Sequence, residues 1–333
     1  MPLLLKISLF GIGGLLLLGA LAYGYFVYSP APAEPRLSAG IQSATIQVGA
    51  RTRLYRAYVP AHLPPGAPLV LVLHGSNLDG AKMRQWTGYE FDELADRYGF
   101  AVLYPDGYKG GWNDCRRDAS FPAKTENVDD VGFLRALVAR CQRAYGINAE
   151  QVYAFGYSNG GQMAFRLATE APRPVAAVAA AGANLPTPAS CSCPLDGPTA
   201  RVMLVSGTQD PISPYHGGLV TLFGFSPRGT NLSARASAEQ LARRNGATAA
   251  PTATRWPHRQ PDDPTSVDCL TWSREARPVV VLYTVHGGGH VVPQPRYRFG
   301  RIFGRTTGDL DAPWEAVRFF GLVPTPAPTP GSQ

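Results

Sequence analysis

Short apolar runs alternate with stretches of helical periodicity along most of the chain, and this alternation constrains the fold more than any other feature. The apolar runs that predict buried strands lie at 68–73, 100–104, 151–155, 175–180, 201–206 and 278–285. The helical patterns lie at 82–98, 129–145, 159–170, 237–245 and 312–320. Two stretches of alternating character, 45–48 and 53–59, predict an antiparallel pair at the sheet edge. The pattern as a whole predicts an α/β fold with a mainly parallel central sheet and helices on both faces.

The sequence Gly156-Tyr157-Ser158-Asn159-Gly160 lies where one predicted strand passes into a helix. A G-x-S-x-G pattern in such a corner is typical of a nucleophile elbow, in which a tight turn exposes the serine and the glycines allow close backbone approach. The pattern alone is weak in a glycine-rich chain, and an ordinary strand-to-helix turn is the alternative. The remaining residues that a serine nucleophile needs therefore decide between the two interpretations.

A serine hydroxyl needs a base to remove its proton and an acid to orient that base. The histidines after Ser158 are His216, His258, His286 and His290. We predict His290 as the base, because it lies in a glycine-rich loop just past the last long strand. His286, nearer the strand end, is the main alternative and is expected to be a packing residue, and His258 is expected to be solvated in a Pro-rich loop.

Asp210 is predicted to be the acid, because it directly follows the strand that ends at Ser206 and so emerges at the same sheet edge as Ser158. The alternative is an aspartate in a turn before Pro211. Two backbone N–H groups are predicted to bind the developing oxyanion, those of Ser76 and Asn159.

Two aromatic residues near these groups are assigned different roles. His74 is expected to be structural. Trp112, in the loop after the strand at 100–104, is predicted to line the substrate cleft, with a tryptophan that merely covers the surface as the alternative.

The ordered blocks of this sequence resemble the polyhydroxybutyrate depolymerase and feruloyl esterase group of extracellular α/β-hydrolases. The blocks are His74-Gly75, 127–134, Gly156–Gly160, Gly207–Tyr215 and Gly287–His290. The resemblance implies an α/β-hydrolase fold and a secreted serine carboxylesterase that uses Ser158, Asp210 and His290 without a metal or cofactor. The chain departs from the group at Ser76, where a cysteine is usual, and at 291–294, where Thr-Trp-Pro-Gly is common. These departures leave the preferred ester open.

The first 36 residues are predicted to be a targeting segment and a linker rather than part of the fold. Residues 7–28 are almost entirely apolar or small, which suits either a cleaved signal peptide or a single membrane anchor, with a buried core helix as the alternative. Both of the first two interpretations place the catalytic domain, predicted at 37–322, outside the cytoplasm. Residues 323–333 form a Pro/Thr-rich tail that is expected to be disordered.

Charge and cysteine content limit the partners of the protein. The net charge of +7 comes from scattered arginines and forms no basic stripe with interleaved aromatics, so no nucleic-acid partner is expected, and a membrane is expected to be contacted only through the N-terminal segment. The cysteines are Cys115, Cys141, Cys191, Cys193 and Cys269. Their spacing favours disulfides over a metal site, with one thiol left over.

The sequence as a whole favours an exported serine esterase that forms an acyl-enzyme on Ser158. Candidate substrates are hydroxyalkanoate oligomers, feruloyl or acetyl esters of polysaccharide, and small aryl esters. An acyltransferase on the same scaffold is one alternative, and a catalytically silent, membrane-tethered binding domain is another.

Overall fold

The computed structural model describes residues 3–170, 174–194, 197 and 199–324, with side chains described from residue 12 onward. The strands are β1 (Gln42–Val48), β2 (Arg51–Tyr58), β3 (Leu69–Leu73), β4 (Ala101–Pro105), β5 (Val152–Tyr157), β6 (Ala177–Ala181), β7 (Arg201–Gly207), β8 (Gly218–Leu219), β9 (Thr230–Asn231), β10 (Thr252–Arg255), β11 (Ser266–Arg274) and β12 (Arg277–His286). The α-helices are α1 (Leu3–Phe26), α2 (Gly80–Trp86), α3 (Glu90–Tyr98), α4 (Pro122–Thr125), α5 (Asp130–Tyr145), α6 (Asn159–Thr169), α7 (Ala234–Arg244) and α8 (Ala312–Phe320).

Within the described residues, ten strands form one sheet in the order β1-β2-β4-β3-β5-β6-β7-β12-β11-β10. The six middle strands, from β4 to β12, run parallel, and antiparallel strands extend the sheet at both edges. All residues of β3, β5 and β6 are buried, as their continuous apolar sequences predict for strands covered on both faces. One core contains residues of α5, α6 and α7, and the other contains residues of α2, α3 and α8. The predicted mainly parallel sheet with helices on both faces is confirmed.

Two local predictions of secondary structure were wrong. The helix expected at 82–98 is two helices, α2 and α3, separated by Gly88 and Tyr89, which both have positive φ values of 64° and 59°. A continuous α-helix cannot accommodate this backbone conformation, so the chain changes direction there. The sequence analysis also missed β10 and β11, which pair antiparallel beside β12.

The N-terminal helix α1 and the segment after it both contact the chain that follows β12. The Ser29 hydroxyl donates a hydrogen bond to the Arg298 carbonyl, and the Arg301 guanidinium lies 4.1 Å from the centre of the Tyr25 ring. In the described part of the chain, no helix combines the length and the apolarity needed to cross a bilayer. The tail predicted at 323–333 lies outside the described residues beyond position 324.

One disulfide joins Cys115 in the loop after β4 to Cys193 in the loop after β6. Cys141, Cys191 and Cys269 are buried free thiols, so three are left over and the prediction of one was wrong. Cys141 on α5 and Cys269 on β11 are buried in different cores, and Cys191 lies beside Cys193, whose sulfur is already bonded to Cys115. The prediction that some of the cysteines form a disulfide is confirmed by this bridge.

Candidate active site

Ser158 occupies a strained turn between β5 and α6. Its φ and ψ angles are 53° and −115°, a region that residues with a side chain rarely adopt. The Ser158 N–H donates to the Ala181 carbonyl at 2.9 Å, which fixes the turn to the end of β6. A Cβ atom at Gly156 would lie 2.1 Å from the Gly160 carbonyl oxygen, and one at Gly160 would lie 2.2 Å from the Leu73 oxygen. Both glycines are therefore required for the strand and helix to meet this closely.

The loop after β12 brings His290 over the same corner. The imidazole is almost fully buried, and its Nε2 atom lies 2.9 Å from Ser158 Oγ. Two hydrogen bonds to the His290 backbone hold the loop: the His290 N–H donates to the Phe303 carbonyl at 2.6 Å, and the Tyr157 hydroxyl donates to the His290 carbonyl at 2.8 Å. The predicted glycine-rich connection is what allows this approach, because a Cβ at Gly289 would collide with the Phe303 carbonyl at 2.0 Å.

Asp210 lies beside His290 in the loop after β7. Its Oδ2 atom is 2.7 Å from His290 Nδ1. Its Oδ1 atom accepts hydrogen bonds from the N–H groups of Ile212 at 2.8 Å and Ser213 at 2.7 Å. The carboxylate is thus held by three contacts, and Ser158, His290 and Asp210 form one continuous hydrogen-bonded chain.

The two backbone groups predicted to stabilise an oxyanion flank Ser158. Asn159 is the first residue of α6, so its N–H lies at the positive end of the helix dipole. A Cβ atom built on Gly75 would lie 3.4 Å from Ser158 Cβ, which puts the segment His74–Ser76, here called the oxyanion loop, directly against the serine. The Ser76 hydroxyl accepts a hydrogen bond at 2.5 Å from Arg228, on the loop between β8 and β9.

The structure corrects the prediction for Trp112. This side chain is completely buried and cannot line an open cleft. Its indole N–H donates to the His74 carbonyl at 2.9 Å, and its ring packs 5.0 Å from the His74 ring. Trp112 therefore supports the oxyanion loop from below. It does not form a surface for substrate.

The side chain of Asn159 links the elbow to the loop that carries Trp112. Its Oδ1 atom accepts from the Trp112 N–H at 2.8 Å, and its Nδ2 atom donates to Asp114 Oδ2 at 2.6 Å. Asp114 also binds the guanidinium of Arg116 at 2.5 Å. These groups are all buried, so the network fixes the position of the Asn159 backbone relative to the loop after β4.

Comparisons with known proteins agree with this geometry. The family model described as esterase PHB depolymerase matches residues 55–193. A putative esterase, NocK of Nocardia uniformis subsp. tsuyamanensis, is 31% identical over 303 residues, which are 88% of this chain and 86% of that protein. The chain belongs to the esterase PHB depolymerase family. It is accordingly an enzyme, a hydrolase that acts on ester bonds.

Other proteins similar to this PHB depolymerase family member match it over a smaller part of their length or at a lower sequence identity. The bifunctional acetylxylan esterase/xylanase XynS20E of Neocallimastix patriciarum is 27% identical over 161 residues, 48% of this chain and 20% of that protein. The solved structure of acetyl xylan esterase from Aspergillus awamori has a TM-score of 0.55 at 18% identity and covers 86% of this chain and all of that one. This second likeness shows that the fold is that of an α/β-hydrolase.

Two other histidines of the esterase, His74 and His286, have hydrogen-bond partners away from Ser158. His74 accepts from the Gly107 N–H through Nε2 at 2.8 Å, so Nδ1 carries the proton and donates to the Gly75 carbonyl at 2.7 Å. Burial lowers the pKa of His74, which keeps the ring neutral as this arrangement requires. The expectation that His286 is a packing residue was wrong, because its side chain is exposed and its Nε2 atom lies 2.8 Å from Asp268 Oδ2 on β11.

The prediction that His258 is only solvated was wrong. Its Nδ1 atom lies 2.6 Å from Asp309 Oδ2, and the hydrogen bond to this carboxylate raises the pKa of His258. The contact spans 51 residues and could not be inferred from the Pro-rich sequence around the histidine.

Several polar residues at the site escaped the sequence analysis altogether. They are Asp114, Arg116, Gln162, Ser213, Arg228 and Asn231. A small pocket at Ser158 and His290 is lined by four of them: Arg116, Gln162, Ser213 and Asn231. One sequence signal could have pointed to Arg116. It follows Cys115 directly, and a disulfide at that cysteine fixes the position of the loop.

Proposed function

We propose that Ser158 is the nucleophile, His290 the general base and Asp210 the residue that orients it, in the hydrolysis of carboxylic esters. The observation that carries the proposal is the chain of contacts of 2.9 Å and 2.7 Å that joins the three side chains. His290 Nε2 accepts the Ser158 proton as Oγ bonds to the carbonyl carbon. The proton then passes to the leaving alcohol as its C–O bond breaks, and an acyl-enzyme remains on Ser158.

Water completes the cycle by the same route. His290 takes a proton from water, the hydroxide oxygen bonds to the acyl carbon, and the acid leaves as the proton returns to Ser158 Oγ. The N–H groups of Asn159 and Ser76 donate to the oxyanion in both steps, and such donors are worth about 3 kcal/mol each in other hydrolases. None of these steps requires a metal or a cofactor.

The proposed substrates are esters of short or hydroxylated acids and esters of polysaccharides. They include hydroxyalkanoate oligomers, acetyl or feruloyl esters of polysaccharide, and small aryl esters. The family description supports the first group, and the similarity to XynS20E, named a bifunctional acetylxylan esterase/xylanase, supports the second.

We also propose that the catalytic domain at 37–322 is exported. The disulfide between Cys115 and Cys193 supports this, since such bonds persist in oxidising compartments and are rare in the cytosol. The N-terminal segment at 1–36 is the proposed targeting signal.

Labelling with a fluorophosphonate probe tests the nucleophile. We expect one adduct per chain, located on Ser158 by peptide mass spectrometry, and no adduct in Ser158→Ala. Ser43→Ala is a suitable control because Ser43 is exposed on β1, at the edge of the sheet. The control should label and hydrolyse 4-nitrophenyl acetate like the wild type, and an adduct on any other residue would refute the assignment.

Product analysis with 4-nitrophenyl acetate distinguishes the proposed hydrolysis from the alternatives. We expect acetate as the main product, with a burst of nitrophenol equal to the enzyme concentration where deacylation is slow. Formation mainly of an acetyl ester in the presence of glycerol would indicate an acyltransferase. Absence of both products from a folded protein would favour a silent binding domain.

A further inference from the structure

The pocket beside Ser158 contains buried polar atoms that have no partner in the protein. Within the described residues, Gln162 Oε1, Ser213 Oγ and both amide atoms of Asn231 make no hydrogen bond. The exposed fractions of these three residues are only 2%, 5% and 2%, and all three line the same pocket as Ser158 and His290. Buried polar groups without partners are rare in folded proteins, because each loses its bonds to water and gains none in return.

The polar side chains are held in place by contacts outside the pocket. Gln162 Nε2 donates to the Asn184 carbonyl at 2.7 Å, so its oxygen is the atom left over. The Ser213 N–H is bound to Asp210. Asn231 belongs to β9, which pairs with β8. The unpaired atoms are therefore fixed parts of a preformed site.

The donor and acceptor types in the pocket identify the group that fits. The oxygens of Gln162 and Asn231 can only accept a hydrogen bond, Asn231 Nδ2 can only donate one, and the Ser213 hydroxyl can do both. A ligand hydroxyl can donate to one of the two amide oxygens and accept from Asn231 Nδ2 and from the Ser213 hydroxyl, so it suits both the donors and the acceptors of this set. A methyl group satisfies none of the atoms, and a carboxylate would bring its lone pairs against the two amide oxygens.

The charge and size of the pocket agree with a neutral hydroxyl. Arg116, the charged residue that lines the pocket, is bound through Nε and Nη2 to Asp114, which balances its charge. The pocket is open on one side, and the space in it that a water-sized group can occupy is about 10 Å³, room for a single oxygen-sized group.

We propose that this pocket is a hydroxyl subsite, in which Gln162, Ser213 and Asn231 select esters that carry a free hydroxyl group near the scissile bond. The inference rests on the proposed function of Ser158 and adds to it the feature by which the substrate is chosen. The hydroxyl can belong to the acyl group, as in a hydroxyalkanoate, or to the alcohol, as in a partly acylated sugar. Both present the same chemistry to the pocket.

Two pairs of esters test the subsite and separate these sources. The acyl pair is 4-nitrophenyl 3-hydroxybutyrate and 4-nitrophenyl butyrate, and the alcohol pair is the monoacetate of trans-1,2-cyclohexanediol and cyclohexyl acetate. Members of each pair differ by one hydroxyl. We expect kcat/KM to favour the hydroxylated member of at least one pair by roughly tenfold or more, because a site built to bind a hydroxyl discriminates strongly against its absence. The pair that shows the preference identifies the source.

Substitutions of pocket residues test whether the pocket causes the preference for the hydroxylated ester. Leucine has nearly the same shape as asparagine without its polar atoms. We therefore expect Asn231→Leu to bring the ratio of kcat/KM values within the preferred pair close to one. Ser213→Ala should reduce it less, and it replaces Asn231→Leu as the test if that variant fails to fold. Asn148→Leu, in the turn before β5, is the matched control and should keep the wild-type preference.

The possible results separate the two proposals. Equal rates within both pairs for a wild-type enzyme that labels at Ser158 would overturn the subsite and leave the esterase proposal intact. A preference that survives in both pocket variants would also overturn it. Failure to hydrolyse any of the four esters, together with no labelling of Ser158, would instead refute the proposed function on which the subsite depends.

Discussion

The disulfide between Cys115 and Cys193 closes a loop whose size allows its contribution to stability to be calculated. The two cysteines are 78 residues apart. In the chain-entropy model, closing a loop of this length removes entropy from the unfolded chain and so raises the free energy of the unfolded state by about 4.5 kcal/mol at room temperature. Replacing both cysteines by serine should therefore destabilise the fold by up to about 4.5 kcal/mol, which corresponds to a melting temperature lower by roughly 10 °C.

The disulfide also lies next to the candidate active site, so we expect the loss of stability to be accompanied by a loss of activity. Asp114 and Arg116 flank Cys115, and Asp114 binds Asn159 of the elbow. We expect the double serine variant to lose ester hydrolysis at lower temperatures than the wild type. Differential scanning calorimetry and urea unfolding measure the stability change.

Reductant provides an internal control for this prediction. Dithiothreitol should lower the melting temperature of the wild type toward that of the double variant and leave the double variant unchanged. Alkylation of the denatured, unreduced protein should modify Cys141, Cys191 and Cys269, and reduction should expose the other two thiols. A double variant within about 1 kcal/mol of the wild type would refute the loop-closure argument. A bridge to Cys191 would refute the assigned pairing.

Three further changes test other parts of the structure. Burial and the neighbouring Asp311 raise the pKa of Glu90 to about 9, so this residue stabilises the fold fully below pH 4.5 and less as the pH rises toward 9. Between pH 5 and 8 this makes the free energy of unfolding of the wild type fall by up to about 1.4 kcal/mol per pH unit. Glu90→Gln should abolish that fall, which urea unfolding measures. An unchanged pH slope would contradict the burial argument. Gly156→Ala should abolish activity or soluble expression because its Cβ would collide with the first turn of α6, whereas Gly40→Ala, in open space, should behave as wild type. Trp112→Phe removes the hydrogen bond to the His74 carbonyl, so it should cost about 1–3 kcal/mol of stability and lower kcat by loosening the oxyanion loop. A loss of stability with unchanged kcat would show that other contacts hold the loop.

The parts of the fold that follow from local patterns could be predicted from the sequence. The continuous apolar runs correctly indicated β3, β5 and β7, because a strand buried on both faces has no polar side to display. The placement of Ser158, Asp210 and His290 at a common edge follows from the same pattern, since parallel strands present their carboxyl ends together. These residues could therefore be chosen before any contact was known.

The parts that depend on distant contacts could not be predicted. The sequence shows that Trp112 lies in a loop, but its burial depends on the His74 carbonyl, 38 residues away. The bond from Arg228 to Ser76 joins residues 152 positions apart. The hydroxyl subsite likewise combines Gln162 of α6 with Asn231 of β9. No short-range pattern of polarity marks such pairs.

The bond between Asn159 and Asp114 limits how this enzyme can be redesigned or diversified. Asn159 is the residue that directly follows Ser158 in the elbow. Here an aspartate at that position would face the carboxylate of Asp114 at the present 2.6 Å separation and repel it. We therefore expect positions 114 and 159 to vary together among natural homologues, and a transplanted elbow to require both.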